Sequence, residues 1–124
     1  MNSKFTKTVR IVLGLLLVFF GANKFFGFVQ MPELPEKAAN FMTSLVGTGY
    51  VLKTVGVLEI GIGLLLLIKK WVAFALILLA PISINILFFH LFLDVKGIGG
   101  ALLVIVLNVI LIYKYWTHYK SLFQ

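Results

Sequence analysis

The stretch Tyr50–Phe92 reads YVLKTVGVLEIGIGLLLLIKKWVAFALILLAPISINILFFHLF. Two apolar runs, about Tyr50 to Ile68 and about Trp71 to Phe92, are separated only by Lys69 and Lys70. Each run approaches the roughly 20 residues that an α-helix needs to cross a hydrocarbon core about 30 Å thick. So short a connection forces two consecutive spans to be antiparallel, and this pair decides the fold.

Working outward, a third run from about Val9 to Phe28 precedes the pair, and a fourth from about Gly97 to Tyr115 follows it. The 124 residues are 61% hydrophobic and 12% charged, with a mean hydropathy of +1.10. A soluble domain carries roughly 25% charged residues, so water is excluded as the main solvent. The expected fold is all-α: a four-helix transmembrane bundle in up-down order, residues 1–124 forming one domain. The run opening at Val9 also has the basic start of a signal peptide, but Gly21 and Ala22 follow bulky Phe19 and Phe20, which argues against cleavage there. With no cysteine, disulfides, thiolate nucleophiles, iron–sulfur clusters and Cys-ligated zinc are excluded.

Orientation follows from the cations. Lys4, Lys7, Arg10, Lys69, Lys70, Lys114 and Lys120 fall on one side, and Lys24, Lys37, Lys53 and Lys96 on the other with Glu33, Glu36 and Asp94. This bias predicts both termini in the cytoplasm. The net charge of +7 is thereby assigned to helix ends beside lipid, with no nucleic acid implied.

The outer loop between the first two spans begins MPELPE and then places Ala38, Phe41, Met42 and Leu45 at helical spacing. These predict a short amphipathic helix with Pro35 near its first turn and Gly47 at its stop, lying over the bundle as a lid. The plainer reading is a helix that only covers apolar surface.

Inside the spans the informative residues are those that lipid rejects, each costing about 2.5 to 3.5 kcal/mol if charged near the bilayer centre. Lys24, Lys53, Glu59, Asn85, His90 and Asn108 are the candidates. Helical rise places Lys24 roughly 20 Å above the inner start of its span, Asn85 roughly 21 Å above its own, and Glu59 roughly 13 Å below the outer start of the second span. Arg10, Gly14, Gly21 and Lys24 share one helical arc, and Lys53, Gly56, Glu59 and Gly63 another, so Lys24 and Glu59 are expected to meet. Gly97, Ala101 and Asn108 share a face that makes Asn108 an interhelical hydrogen-bonder. On the third span Ala73, Ala80, Ser83, His90 and Asp94 share an arc, with Asn85 about 140° from His90. Pro81 frees the carbonyl of Ile77, which predicts a kink. His90 and Asp94, four residues apart, can touch along the helix. Against a functional role, Lys24 can snorkel to headgroups, Glu59 can be a structural pair or a buried neutral acid, and His90 can be a hydrogen-bonded end residue. His90 and His118 lie at opposite ends of the bundle, so they cannot share one haem iron within a monomer.

The segments RIVLGLLLVFFGANKFFGF (10–28), PELPEKAANF (32–41), VLEIGIGLLLL (57–67) and APISINILFFHLFLD (80–94), in that order and spacing, resemble the DoxX family of small four-helix bacterial membrane proteins. The resemblance covers nearly the whole chain. It implies a multi-pass protein of the bacterial inner (cytoplasmic) membrane, with polar landmarks at Lys24, Glu59, Asn85 and His90. Some DoxX-like proteins are regarded as membrane subunits of thiosulfate:quinone oxidoreductase and others as partners in membrane redox or oxidative-stress complexes. A relative in animals is an assembly chaperone for ion-channel subunits. Members that depend on cysteine are no guide here.

Three functions therefore compete. An accessory subunit of a quinone-linked complex would hold a quinone head group in an apolar slot near Phe25, Phe26, Phe88 and Phe89, with Lys24 or His90 as donors and Glu59 as proton carrier. The chain carries no motif for an electron carrier and would need a redox partner in the bilayer. A non-enzymatic chaperone or assembly factor would use the same polar cluster to engage another membrane protein. A transporter or channel would need a homo-oligomer to build a pore.

Overall fold

The computed structural model describes residues 3–26 and 34–123. Five α-helices carry the fold: α1 (Lys4–Phe26), α2 (Glu36–Gly47), α3 (Val51–Ile68), α4 (Val72–Leu93) and α5 (Ile98–Lys114). Four of them, with α5 extended back to Val95 by a 3₁₀ turn, are long and apolar enough to cross a membrane. The described residues contain no strand. The end of the first span at Phe28 and the start of the MPELPE loop lie outside the described residues.

The helices begin and end for local reasons. Ser3 Oγ accepts from the Thr6 N–H at 3.1 Å and so caps α1, satisfying one of its unpaired first-turn donors. Pro35 immediately precedes α2, where its fixed φ and missing N–H cost nothing. Thr48 then joins α2 to α3: its hydroxyl donates to the Leu45 carbonyl at 2.6 Å and accepts from the Val51 N–H at 3.3 Å. The next residue, Gly49, has φ +82°, which only glycine adopts without strain. Between α3 and α4 the chain reverses with Lys69 and Trp71 both left-handed, at φ 57° and 52°. The N–H groups of Lys69 and Lys70 close back on the carbonyls of Leu66 and Leu65, a Schellman end. Helix α4 continues through Pro81.

Packing runs around a ring: α1 against α3, α3 against α4, α4 against α5, and α5 back against α1, with α2 resting on α3 and α4. Successive spans are antiparallel, so this is an up-down bundle, which the short α3–α4 and α4–α5 connections require. The core is a single column of fully buried aliphatics that includes Leu13, Leu17, Ile62, Leu66, Leu76, Leu79 and Leu111. Outward, Leu15, Val57, Leu64, Phe74, Phe88, Val106 and Val109 are exposed. Apolar surface on every side of a bundle has hydrocarbon as its natural solvent, and the protein is a multi-pass membrane protein.

The two ends differ. Arg10 reaches the last carbonyls of α3, Lys114 lies 5.8 Å over the Phe5 ring, and the Tyr119 hydroxyl donates to the Ala73 carbonyl. The start of α1, the α3–α4 turn and the residues after α5 are therefore together at one end. The other end holds α2, Lys24, Lys53, Asp94 and Lys96.

Candidate functional site

The closest helix contact positions the site. Gly14 of α1 faces Gly63 of α3, and Gly21 faces Gly56, so small residues seven apart on each helix meet in antiparallel register. A Cβ at Gly63 would stand 2.7 Å from the Gly14 carbonyl oxygen, and one at Gly21 2.7 Å from that of Gly56. Only glycine lets the backbones come this near. One turn beyond Gly21, toward the α2 end, Lys24 comes beside Gly56, its Cβ 3.4 Å from where a Cβ on that glycine would stand, and its long stem reaches back along α3 to Glu59.

Lys24 Nζ lies 2.6 Å from Glu59 Oε1. The carboxylate side chain is 2% exposed and the lysine 26%, so the acid is enclosed and the ammonium reaches its open edge. Among the described residues no hydrogen-bond donor is aligned on Oε1; the contact is an ion pair. Phe25 forms part of the wall, since its ring edge would lie 2.8 Å from a Cβ at Gly56.

His90 and Asn85 are elsewhere. His90 Nδ1 lies 3.1 Å from the Asp94 carbonyl oxygen and 3.5 Å from its Oδ2. Both neighbours are acceptors, which assigns the proton to that nitrogen. Gly97 is needed beneath them, because a Cβ there would stand 2.6 Å from Asp94 Oδ2. The Phe89 ring packs edge-on to His90, and Phe41 of α2 packs on Phe89 at 5.6 Å, tying α2 to this end of α4. Asn85 is exposed on the outer face of α4, where its Nδ2 donates to the Pro81 carbonyl at 2.8 Å. No hydrogen bond or ion pair among the described residues joins either residue to the Lys24–Glu59 pair. Common depth brings groups to one level, but azimuth decides whether they touch, and the roughly 140° between Asn85 and His90 separates them. The four residues thus form one pair and two separate positions, not one cluster. Lys53 is exposed on the first turn of α3.

Two polar contacts tie the rest of the bundle together. Asn108 Oδ1 accepts from Ser83 Oγ at 3.0 Å and its Nδ2 donates to the Leu76 carbonyl at 3.2 Å, joining α5 to α4 as its helical face implies. At the opposite end the Arg10 guanidinium donates to the carbonyls of Leu66 and Leu67. It supplies donors and positive charge to the end of α3 where unpaired carbonyls and the helix dipole are negative. This role does not follow from cation counting; the arc shared by Arg10, Gly14 and Gly21 carries the signal, extended one turn along the same register. Tyr119 is a second residue that motif and spacing leave unmarked. Its hydroxyl donates to the Ala73 carbonyl at 2.7 Å, and burial, followed by neighbouring Tyr115, pushes its pKa up to about 12.

Among the described residues no group of three or more His, Cys, Asp or Glu side chains comes together to hold a metal ion. Comparison of the chain with protein-family models, with curated proteins and with solved structures finds no match.

Proposed function

We propose that this chain is a DoxX-like accessory subunit of a quinone-linked membrane redox or oxidative-stress complex. In this reading it sits in a bacterial cytoplasmic membrane with both termini in the cytoplasm. The observation that supports the redox role is the Lys24–Glu59 pair, an enclosed carboxylate behind an accessible ammonium, at the end of the bundle that α2 covers. A quinone head group needs an apolar wall, a donor for a carbonyl oxygen and a group that exchanges protons. Phe25, Lys24 and Glu59 fit those needs in that order. A bound quinone would accept electrons that a partner subunit delivers. The share of this chain is to hold the ring against Phe25, orient a carbonyl with Lys24 and keep a proton-accepting oxygen at Glu59 Oε1.

Asn85 favours a second reading, a membrane chaperone or assembly factor. An amide on the lipid-facing side of a span, with one bond to its own helix, gains most from a polar group on a partner helix. Purification from native membranes in mild detergent, followed by lipid extraction, tests both. A near-stoichiometric quinone that is lost in Lys24→Met, with the variant still folded, is the expected result. A co-purifying membrane protein without quinone, lost in Asn85→Leu, would replace the redox role with the assembly role.

A further inference from the structure

A groove of about 420 Å³ opens at the basic end of the bundle, lined by Lys69 and His118 together with Trp71, Phe74 and Tyr115. Its position along the membrane normal follows from the chain. Lys69 and Trp71 belong to the turn between two spans, Tyr115 directly follows the last residue of α5, and His118 closes the 3₁₀ turn after it. The groove is therefore level with lipid headgroups, and Phe74, 57% exposed one turn into α4, stands at the start of the hydrocarbon. Trp71 is 73% exposed and packs edge-on to Phe74 at 6.3 Å, a side-chain pair with one end wet and the other apolar.

We infer that this groove binds the headgroup of an anionic phospholipid in the adjoining leaflet, Lys69 and His118 meeting the phosphate and Trp71 and Phe74 the glycerol and first acyl carbons. Charge complementarity selects this occupant. Lys4, Lys7, Lys69, Lys70, Lys114 and Lys120 all belong to this end, whereas the described acids Glu36, Glu59 and Asp94 lie toward the other. The first turn of α4, which contributes to the lining, has no side-chain cap, so its N–H groups add donors of the right sign for an anion. The aromatic wall continuing into exposed Phe74 distinguishes a lipid from a free anion, which would use only the polar part. Basic pockets between spans on the cytoplasmic side are where phospholipid headgroups bind.

The test uses the whole chain purified in mild detergent. It is titrated separately with phosphatidylglycerol, with phosphatidylcholine of the same acyl chains and with inorganic phosphate, and bound lipid is counted by native mass spectrometry. Phosphatidylglycerol should bind in preference to phosphatidylcholine, and Lys69→Gln should weaken it about fivefold, the effect of about 1 kcal/mol per cation near a lipid surface. His118→Gln should weaken it further and provides the same test alone if Lys69→Gln does not fold. Lys53→Gln, exposed at the opposite end, should leave binding unchanged. Equal binding of the two lipids, or an equal loss from Lys53→Gln and Lys69→Gln, would overturn the site. Equal competition by inorganic phosphate would make it a free-anion site and overturn the lipid assignment.

Discussion

Removing Lys24 and removing Glu59 should cost the fold different amounts, because their surroundings differ. Lys24→Met leaves an enclosed carboxylate with no cation, at a cost of about 3 kcal/mol. Glu59→Gln leaves an ammonium already 26% exposed on a long stem, which can turn toward the headgroups at a cost of about 1 kcal/mol. The double variant should lose less than the two singles together, and thermal unfolding of the three proteins reads this; additive losses would reject the coupling. That Lys24 and Glu59 meet is legible in the sequence, since phase at 100° per residue places each beside the glycines of its own helix. Tyr119 shows a different dependence. Its folded pKa of about 12 exceeds the ordinary value near 10, so folding favours the neutral phenol. The resulting stability is fully present below about pH 10 and is lost as pH rises toward about 12. The measurement is the difference between wild type and Tyr119→Phe, in which contributions common to both proteins cancel. The variant should be about 1 kcal/mol less stable at neutral pH and converge on wild type at high pH. A constant difference across that range would show that the hydroxyl has no linked proton.

The α1–α3 pair turns a sequence spacing into a packing constraint. Gly63→Ala would set a Cβ 2.7 Å from the Gly14 carbonyl oxygen and 2.8 Å from a Val18 methyl, and the backbone oxygen cannot move without moving its helix. A loss of about 1 to 3 kcal/mol is expected, with Gly21→Ala similar. Gly61, two residues from Gly63, has nothing within 4 Å of the same added atom. Gly61→Ala should be neutral or stabilising by up to about 1 kcal/mol, since alanine is the better helix former. Unfolding of the three variants in one detergent separates these expectations. If Gly61→Ala and Gly63→Ala behave alike, the close approach is not what holds the pair. Spacing of seven on both helices makes this seam legible in the amino-acid order alone, because a repeat near 3.5 residues per turn keeps one face toward one partner. The position of Asn85 is not legible in the same way. An amide at span depth prompts an inward assignment, yet azimuth depends on which stripe of α4 turns toward the core, and the stripe through Leu76, Leu79 and Ser83 does. With Asn85 on the far side, its amide is available to a second protein.

At the level of the whole molecule, short connections fix antiparallel neighbours, and ring closure of α1 on α5 then brings both chain ends to one end of the bundle. The even number of spans implies the same arrangement, and Lys114 over Phe5 shows it as a contact. Four antiparallel spans determine only that the termini share a side; which side depends on the cations. Lys4, Lys7, Arg10, Lys69, Lys70, Lys114 and Lys120 stand against Lys24, Lys37, Lys53 and Lys96. Two of these cations have internal duties. Arg10 caps α3 and Lys24 pairs with Glu59, so neither is simply a free flanking charge. Setting both aside widens the ratio to six against three, and the bias keeps its sign. The loops concerned are short, which is the regime in which lysine and arginine govern insertion. Both termini should therefore be cytoplasmic and α2 periplasmic. Cysteine labelling can report this cleanly because the chain contains no native cysteine. In intact cells a membrane-impermeant maleimide should modify Lys37→Cys on exposed α2, and should modify Lys120→Cys only after the membrane is opened. Labelling of Lys120→Cys from outside would invert the bundle, placing the basic groove and its proposed lipid in the opposite leaflet.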